Sequence, residues 1–154
     1  MKRMDIALAA AVAVSVLATS FFGFAEQCAE VRHNTLRLHI LANSDSADDQ
    51  SLKLAVRDRI LSETASLFEN PLNLAQAEEA AKDSLAAIEA AARREIAIQG
   101  YDYPVRAEVV NMYFTTRQYE SFTLPAGRYD AVRVEIGKAE GQNWWCVLDR
   151  KSVV

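Results

Sequence analysis

Apolar and polar positions change rhythm several times along this chain, and each change marks an element. From Ile6 to Ala25 twenty consecutive residues carry no charge, which predicts a hydrophobic helix at the N-terminus. Thr35 to Ala42 mixes alternation with the apolar patch Ile40-Leu41-Ala42 and predicts a strand of about seven residues. Asn43-Ser44-Asp45-Ser46 ends it, because these side chains bond to nearby backbone. Ser46, followed by Asp49 three residues on, resembles a capping box, with Asp48 and Asp49 in the first turn where the helix dipole favours negative charge. A helix is therefore expected from Ala47, its buried stripe formed by Leu52, Val56, Ile60, Leu61, Leu67 and Phe68. Asn70-Pro71 interrupts it, and Asn73 with Gln76 caps a second helix that keeps three-and-four spacing through Ala77, Ala81, Leu85, Ile88, Ala92 and Ile96 until Gly100. Its charged residues Lys82, Asp83, Glu89, Arg93 and Arg94 read as a solvated face.

Beyond Gly100 the period shortens to two. Val105, Ala107 and Val109 alternate with Arg106 and Glu108 before Val110 to Phe114 turns mostly apolar. Leu124-Pro125-Ala126-Gly127 signals a turn, and Tyr129 to Ile136 forms the next strand. Gly137 to Gly141 then links it to Trp144 through Leu148, most simply as a hairpin. The order predicts one small α+β domain, a mixed or antiparallel sheet with two helices on one face, preceded by the hydrophobic helix.

Length adds a boundary to this pattern. A chain of 154 residues has room for one domain and an N-terminal address. Lys2 and Arg3 precede the apolar run, and Gly23-Phe24-Ala25 offers the small residues of a signal-peptidase site. Residues 1–25 are thus a signal peptide or, uncleaved, a membrane anchor, since about 20 apolar residues also suffice to span a bilayer. Residues 26–34 read as a linker and 35–154 as the folded domain, placed outside the cytoplasm in either case. After Ala25, fifteen basic residues face twenty acidic ones, a net charge of −5. That balance excludes a phosphate-tracking nucleic-acid surface and leaves the membrane reachable only through the N-terminal segment. Cys28 and Cys146, the two cysteines of an exported chain, are open to pairing as a disulfide or to remaining free thiols.

Catalytic chemistry has little support. His33 and His39 are the two histidines, without ligand spacing to each other or to a cysteine pair, so no metal is expected. His39 lies opposite Leu38 and Ile40 and reads as a surface or edge residue. No nucleophile elbow, phosphate loop or dinucleotide fingerprint appears, and no cofactor is expected. Asp45, Asp48 and Asp49 are explained by capping, but Asn43, Ser44 and Asp45 also stand at a strand end, a usual place for binding groups. Trp144 and Trp145 are the two tryptophans; adjacent on a strand, they point to opposite faces, one to a core and one to a partner.

Four tracts in the same order, Arg37 to Asp58, Phe114-Thr115-Thr116-Arg117, Leu124 to Gly127 and Trp144-Trp145-Cys146, closely resemble the stage II sporulation protein R family. The resemblance implies a non-enzymatic exported signal of endospore formation. It would pass from the forespore to the intermembrane space and activate a membrane-embedded aspartic protease that processes pro-sigma-E. It also marks Arg57 and Arg117 as recurrent basic positions. With Asn43, Ser44, Asp45, Asn143, Trp144 and Trp145 they form the candidate partner-binding set. Thr116 stands where the family usually has proline. Asp149 to Val154 follows where the family usually continues into Pro-Pro-Leu-Cys, a stretch that would offer Cys146 another partner. The rival readings are a small exported hydrolase using Asp45 or Asp49 with His39, and a membrane-anchored envelope binding module.

Overall fold

The computed structural model describes residues 3–64, 74–119 and 123–150. Helix α1 (Arg3–His33) is followed by strand β1 (Thr35–Leu41), helices α2 (Ala47–Thr64) and α3 (Leu74–Ile98), and strands β2 (Val105–Phe114), β3 (Arg117–Gln118), β4 (Thr123–Leu124), β5 (Gly127–Ile136) and β6 (Asn143–Arg150). The α+β class is as expected, and the sheet is mixed. Leu67, Phe68, the Asn70-Pro71 break and the Asn73 cap lie outside the described residues, as do residues 151–154 and the side chain of Trp145.

The main sheet has the order β2-β5-β1-β6. β5 follows β2 as its antiparallel partner, Phe114 opposite Gly127, and lies parallel to β1 on its other side. β6 pairs antiparallel with β1. The expected β5–β6 hairpin is therefore overturned: β1 stands between the two strands. β1 is buried along six of its seven residues, and a strand so buried needs a neighbour on each side to satisfy its backbone. The short β3–β4 ribbon extends the tip of the β2–β5 hairpin.

One face of the sheet carries the main core. Leu36, Leu38 and Ile40 of β1, Val132, Val134 and Ile136 of β5, and Val105 and Ala107 of β2 meet Leu52, Val56 and Ile60 of α2 and the alanine-rich stripe of α3. The small side chains Ala77, Ala81 and Ala92 let α3 lie close to its neighbours. Across the two helices, Arg59 pairs with Glu95 at 3.0 Å, and Arg94 with Glu63. Glu89 departs from the solvated role expected of it: its carboxylate accepts the Ala107 N–H of the edge strand β2 at 2.9 Å.

The other face is also covered, which corrects the reading of His39 as a surface or edge residue. His39 is buried in a central strand, and Arg37 beside it is fully enclosed. The cover is built by the last turns of α1, where Thr35 Oγ1 donates to the Val31 carbonyl at 2.7 Å, and by Tyr119, whose hydroxyl accepts from Arg37. Residues 26–33, read as a linker, are thus the end of α1. Further toward the N-terminus Leu8, Val12, Val14, Val16 and Leu17 are exposed. Among the described residues no helix is long and apolar enough to cross a membrane.

Gly137 to Gln142 crosses the end of β1 to carry the chain from β5 to β6. Gly137 and Ala139 both take left-handed backbone, at φ 60° and 55°. Gly137 N–H donates to the Pro104 carbonyl, Glu140 N–H to Asn43 and Gly141 N–H to Ala42. A Cβ at Gly141 would overlap the Ser44 carbonyl. Gly141→Ala is accordingly expected to destabilise by about 1–3 kcal/mol, whereas Ala139→Gly relieves the left-handed cost and stabilises by about 0.5–1 kcal/mol. Urea unfolding midpoints of the two variants check the opposite signs.

Candidate binding cleft

The strand end at Asn43-Ser44-Asp45 is a clamp joining three pieces of chain. Ser46 Oγ accepts the Asp49 N–H at 3.1 Å, the expected helix cap. The Asp49 carboxylate turns back to accept from Ser44 Oγ at 2.5 Å and from Asn43 Nδ2 at 2.9 Å. The other end of the Asn43 amide accepts the Lys138 N–H at 3.0 Å, and Asp45 accepts the Gln142 N–H at 2.7 Å. These candidate residues therefore hold the β5–β6 crossing against the start of α2. Burial pushes the Asp49 carboxyl up, but the hydrogen bonds from Ser44, Asn43, Tyr103 and Ser46 outweigh it and hold the group below the ordinary carboxylate value.

Next to this clamp lies a cleft of about 560 Å³ between α2, the β3 ribbon strand and the start of β6. Gln50, Lys53 and Leu54 form one wall, Arg117, Gln118 and Tyr119 another, and Gln142, Asn143 and Trp144 the floor. Lys53 is 4% exposed; its ammonium donates to Gln50 Oε1 at 2.5 Å and to the Gln142 carbonyl at 2.9 Å. Burial lowers its pKa, against the opposing pull of Asp45. Trp144 is half-buried against the core, with the Arg57 guanidinium 4.6 Å from its ring centroid; Arg57 also pairs with Asp58 at 2.6 Å. Among the described residues the lining holds cations, amides and an aromatic edge, which suit acceptor-rich groups.

Three of the candidate residues, Arg117, Asn143 and Trp144, meet in this cleft, and Arg57 reaches it by stacking on Trp144. Asn43, Ser44 and Asp45 support its floor through Gln142 instead of lining it. Trp144 is the indole directed to the core side; Trp145 pairs through its backbone with His39. Lys53 was missed, although its spacing held the signal: it follows the buried Asp49 by four residues and precedes Val56 by three, on the inward stripe of α2. Gln50, Leu54, Gln118 and Tyr119 carried no comparable signal.

On the sheet's second face His39 Nε2 meets Asn143 Oδ1 at 2.7 Å. Burial lowers the His39 pKa, the Asn143 bond partly opposing it. The hydrolase reading needed His39 beside Asp45 or Asp49, yet His39 points away from α2, with the sheet between it and the Asp49 cap. Arg37 stacks on Phe114 and Tyr129, 4.2 and 5.3 Å from their centroids, while its Nη2 donates to the Tyr119 hydroxyl at 3.2 Å. Cys28 and Cys146 are both free thiols. Cys146 packs on the helix side, where burial raises its pKa to about 11, whereas Cys28 belongs to α1, on the other face of the sheet.

A mixed four-stranded sheet, roofed by two helices and with a cleft beside an edge strand, defines a small α+β domain. The chain belongs to the stage II sporulation protein R family, whose family model matches residues 32–149. It is 34% identical over 113 residues to the stage II sporulation protein R of Bacillus subtilis (strain 168), an alignment covering 73% of this chain and 50% of that protein. The chain thus spans about half the length of the curated relative it matches. No solved structure matches it.

Two of the buried titratable groups, His39 and Asp49, make stability depend on pH in the acid range. His39 has a lowered folded pKa, so as pH falls below about 6.5 the unfolded chain gains a proton first and stability begins to drop. Asp49 is depressed too; its contribution is complete above the ordinary value near 4 and is lost as pH falls through the folded value. Urea unfolding from pH 8 to pH 3 should show two stages of loss. His39→Gln removes the upper stage, and Asp49→Asn weakens the lower one while costing about 1–3 kcal/mol at pH 7.

Proposed function

We propose that this protein is the exported signal of endospore formation, made in the forespore and received in the space between the two membranes by a membrane-embedded aspartic protease. Contact with the domain switches that protease to cleave the sigma-E precursor. The domain works by binding, not by turnover. The observation that carries this reading is the family membership, which runs through the folded domain from residue 32 to residue 149. Two features support it. The exposed apolar stretch of α1 suits a segment handed to an export machinery, and the cleft collects recurrent family positions around a partly exposed indole.

Activation by touch sets a thermodynamic condition. The domain must bind the active state of the protease more tightly than the inactive one, because equal affinity shifts no equilibrium. The hydrogen bonds of the Asp49 clamp lower the ordering cost of such a contact, and the differential affinity has to come from the protease surface.

Expressed in a sporulating strain that lacks its own stage II sporulation protein R, the chain should restore cleavage of the sigma-E precursor, read by immunoblot. Failure to restore it, with the chain exported and folded, rules the proposal out.

A further inference from the structure

Where α3 ends, the chain builds a second aromatic feature that shares no lining residue with the Trp144 cleft. Gly100, at φ 83°, closes the helix: its N–H donates to the Ala97 carbonyl and the Tyr101 N–H to the Ile96 carbonyl, each at 3.0 Å. Tyr101 and Tyr103 then stack, with ring centroids 5.3 Å apart and planes 26° from parallel. The Tyr103 hydroxyl is engaged with the Asp49 carboxylate. Both rings pack against the core on one side, and Tyr101 also forms the wall between two hollows.

The larger hollow, about 470 Å³, presents Ile96, Ala97, Pro104 and the two rings, with Arg93 and Asp102; the Arg93 charge is held by Glu89 at 2.6 Å. The smaller, about 230 Å³, lies between the start of α2 and the end of α3, lined by Asp48, Ser51, Leu52, Gln99 and Tyr101. It is below the usual size of a small-molecule site and admits one side chain. Its polar groups are suited to accept: the exposed Asp48 carboxylate, the Ser51 hydroxyl, and Gln99 Oε1, since Gln99 Nε2 already donates to Glu95 at 2.9 Å. The positive end of α2 is met by Asp48 and Asp49, whereas the last turn of α3 carries no basic residue to balance its negative end. Carboxylate, helix end and ring face therefore all favour a cation.

We propose that the smaller hollow seats a lysine side chain of a partner protein, its ammonium among Asp48, Ser51 and Gln99 and its methylene stem on the Tyr101 ring. An apolar residue next to that lysine fills the larger hollow on the other side of the ring. A compact ammonium with three donors matches separate acceptors in a small space, whereas a planar guanidinium is best matched by a paired-oxygen acceptor. The net charge of −4 favours approach of a basic segment. This inference goes beyond the signalling reading and stands whether or not that reading holds.

The test follows the side-chain NMR signals of Tyr101 and Gln99 in the isotope-labelled full chain as the blocked peptide Gly-Lys-Leu-Gly is added. Versions of the peptide carry arginine, or norleucine, which keeps the stem and lacks the charge, in place of lysine. The Lys peptide should shift both signals and bind roughly fivefold or more tightly than the norleucine peptide, and more tightly than the Arg peptide. Its binding should weaken as salt rises. Asp48 and Ser51 are exposed, so Asp48→Asn and Ser51→Lys should leave the core amide signals in place while weakening the Lys peptide roughly fivefold or more, the second by supplying an ammonium from α2 itself. Equal binding of the Lys and norleucine peptides, no shift at millimolar concentration, or variants that bind as well as the native chain overturn the proposal. So does a blocked single lysine that binds as tightly as the peptide, which would assign the hollow to a small amine, or a dimer of this chain that fills it.

Discussion

Asp49 is the point on which the architecture turns. A carboxylate at the third residue of a helix would ordinarily face water and help the helix dipole; here it is enclosed and takes hydrogen bonds from Ser44 and Asn43, which end the preceding strand. Those same residues, with Asp45, hold the backbone of the β5–β6 crossing. One buried charge thereby fixes the direction of α2 relative to β1 and the place where β6 begins. Leaving any of its partners unpaired would cost more than the bond itself contributes, because the group cannot return to water. The cleft inherits this rigidity, since Gln142, Asn143 and Trp144 emerge directly from the clamped crossing.

Burial of charge recurs on the opposite face by a different means. Arg37 has no hydrogen-bond partner at Nε or Nη1 among the described residues, and two aromatic rings with one phenol take the place of a carboxylate. A guanidinium tolerates this better than an ammonium would, being planar and more weakly hydrated. Arg37 thus ties the β3–β4 ribbon, through Tyr119, to the central strand. Tyr119 is also a wall of the cleft, so the second layer of the fold and the cleft share a residue.

Two reactive side chains of the domain sit in settings that subdue them. The thiol of Cys146 is too basic to ionise near neutral pH, and His39 is engaged with an amide on the far side of the sheet from the Asp49 carboxylate. Among the described residues, a cleft rich in amides, with Lys53 and Arg117 in its lining, lies at the start of β6.

Local pattern and short-range chemistry in the sequence determined the start of α2, the end of α3 before Gly100, the strands β1, β2 and β5, the α+β class and the Ser46 cap, because each depends on residues within a few positions of one another. Four tracts in the same order, Arg37 to Asp58, Phe114 to Arg117, Leu124 to Gly127 and Trp144 to Cys146, indicated the family. Strand order was not legible: Gly137 to Gly141 has the look of a hairpin, and only burial of β1 on both sides places that strand between β5 and β6. Nor could alternation reveal that Arg37 and His39 are enclosed, since a polar residue opposite Leu38 looks the same whether water or α1 and a distant ribbon covers it. The cleft likewise draws on residues about ninety positions apart, Lys53 and Gln142. Tertiary structure alone decided which of the candidate residues line the cleft and which brace it, because that division depends on which groups the crossing at Asp49 brings within reach of each other.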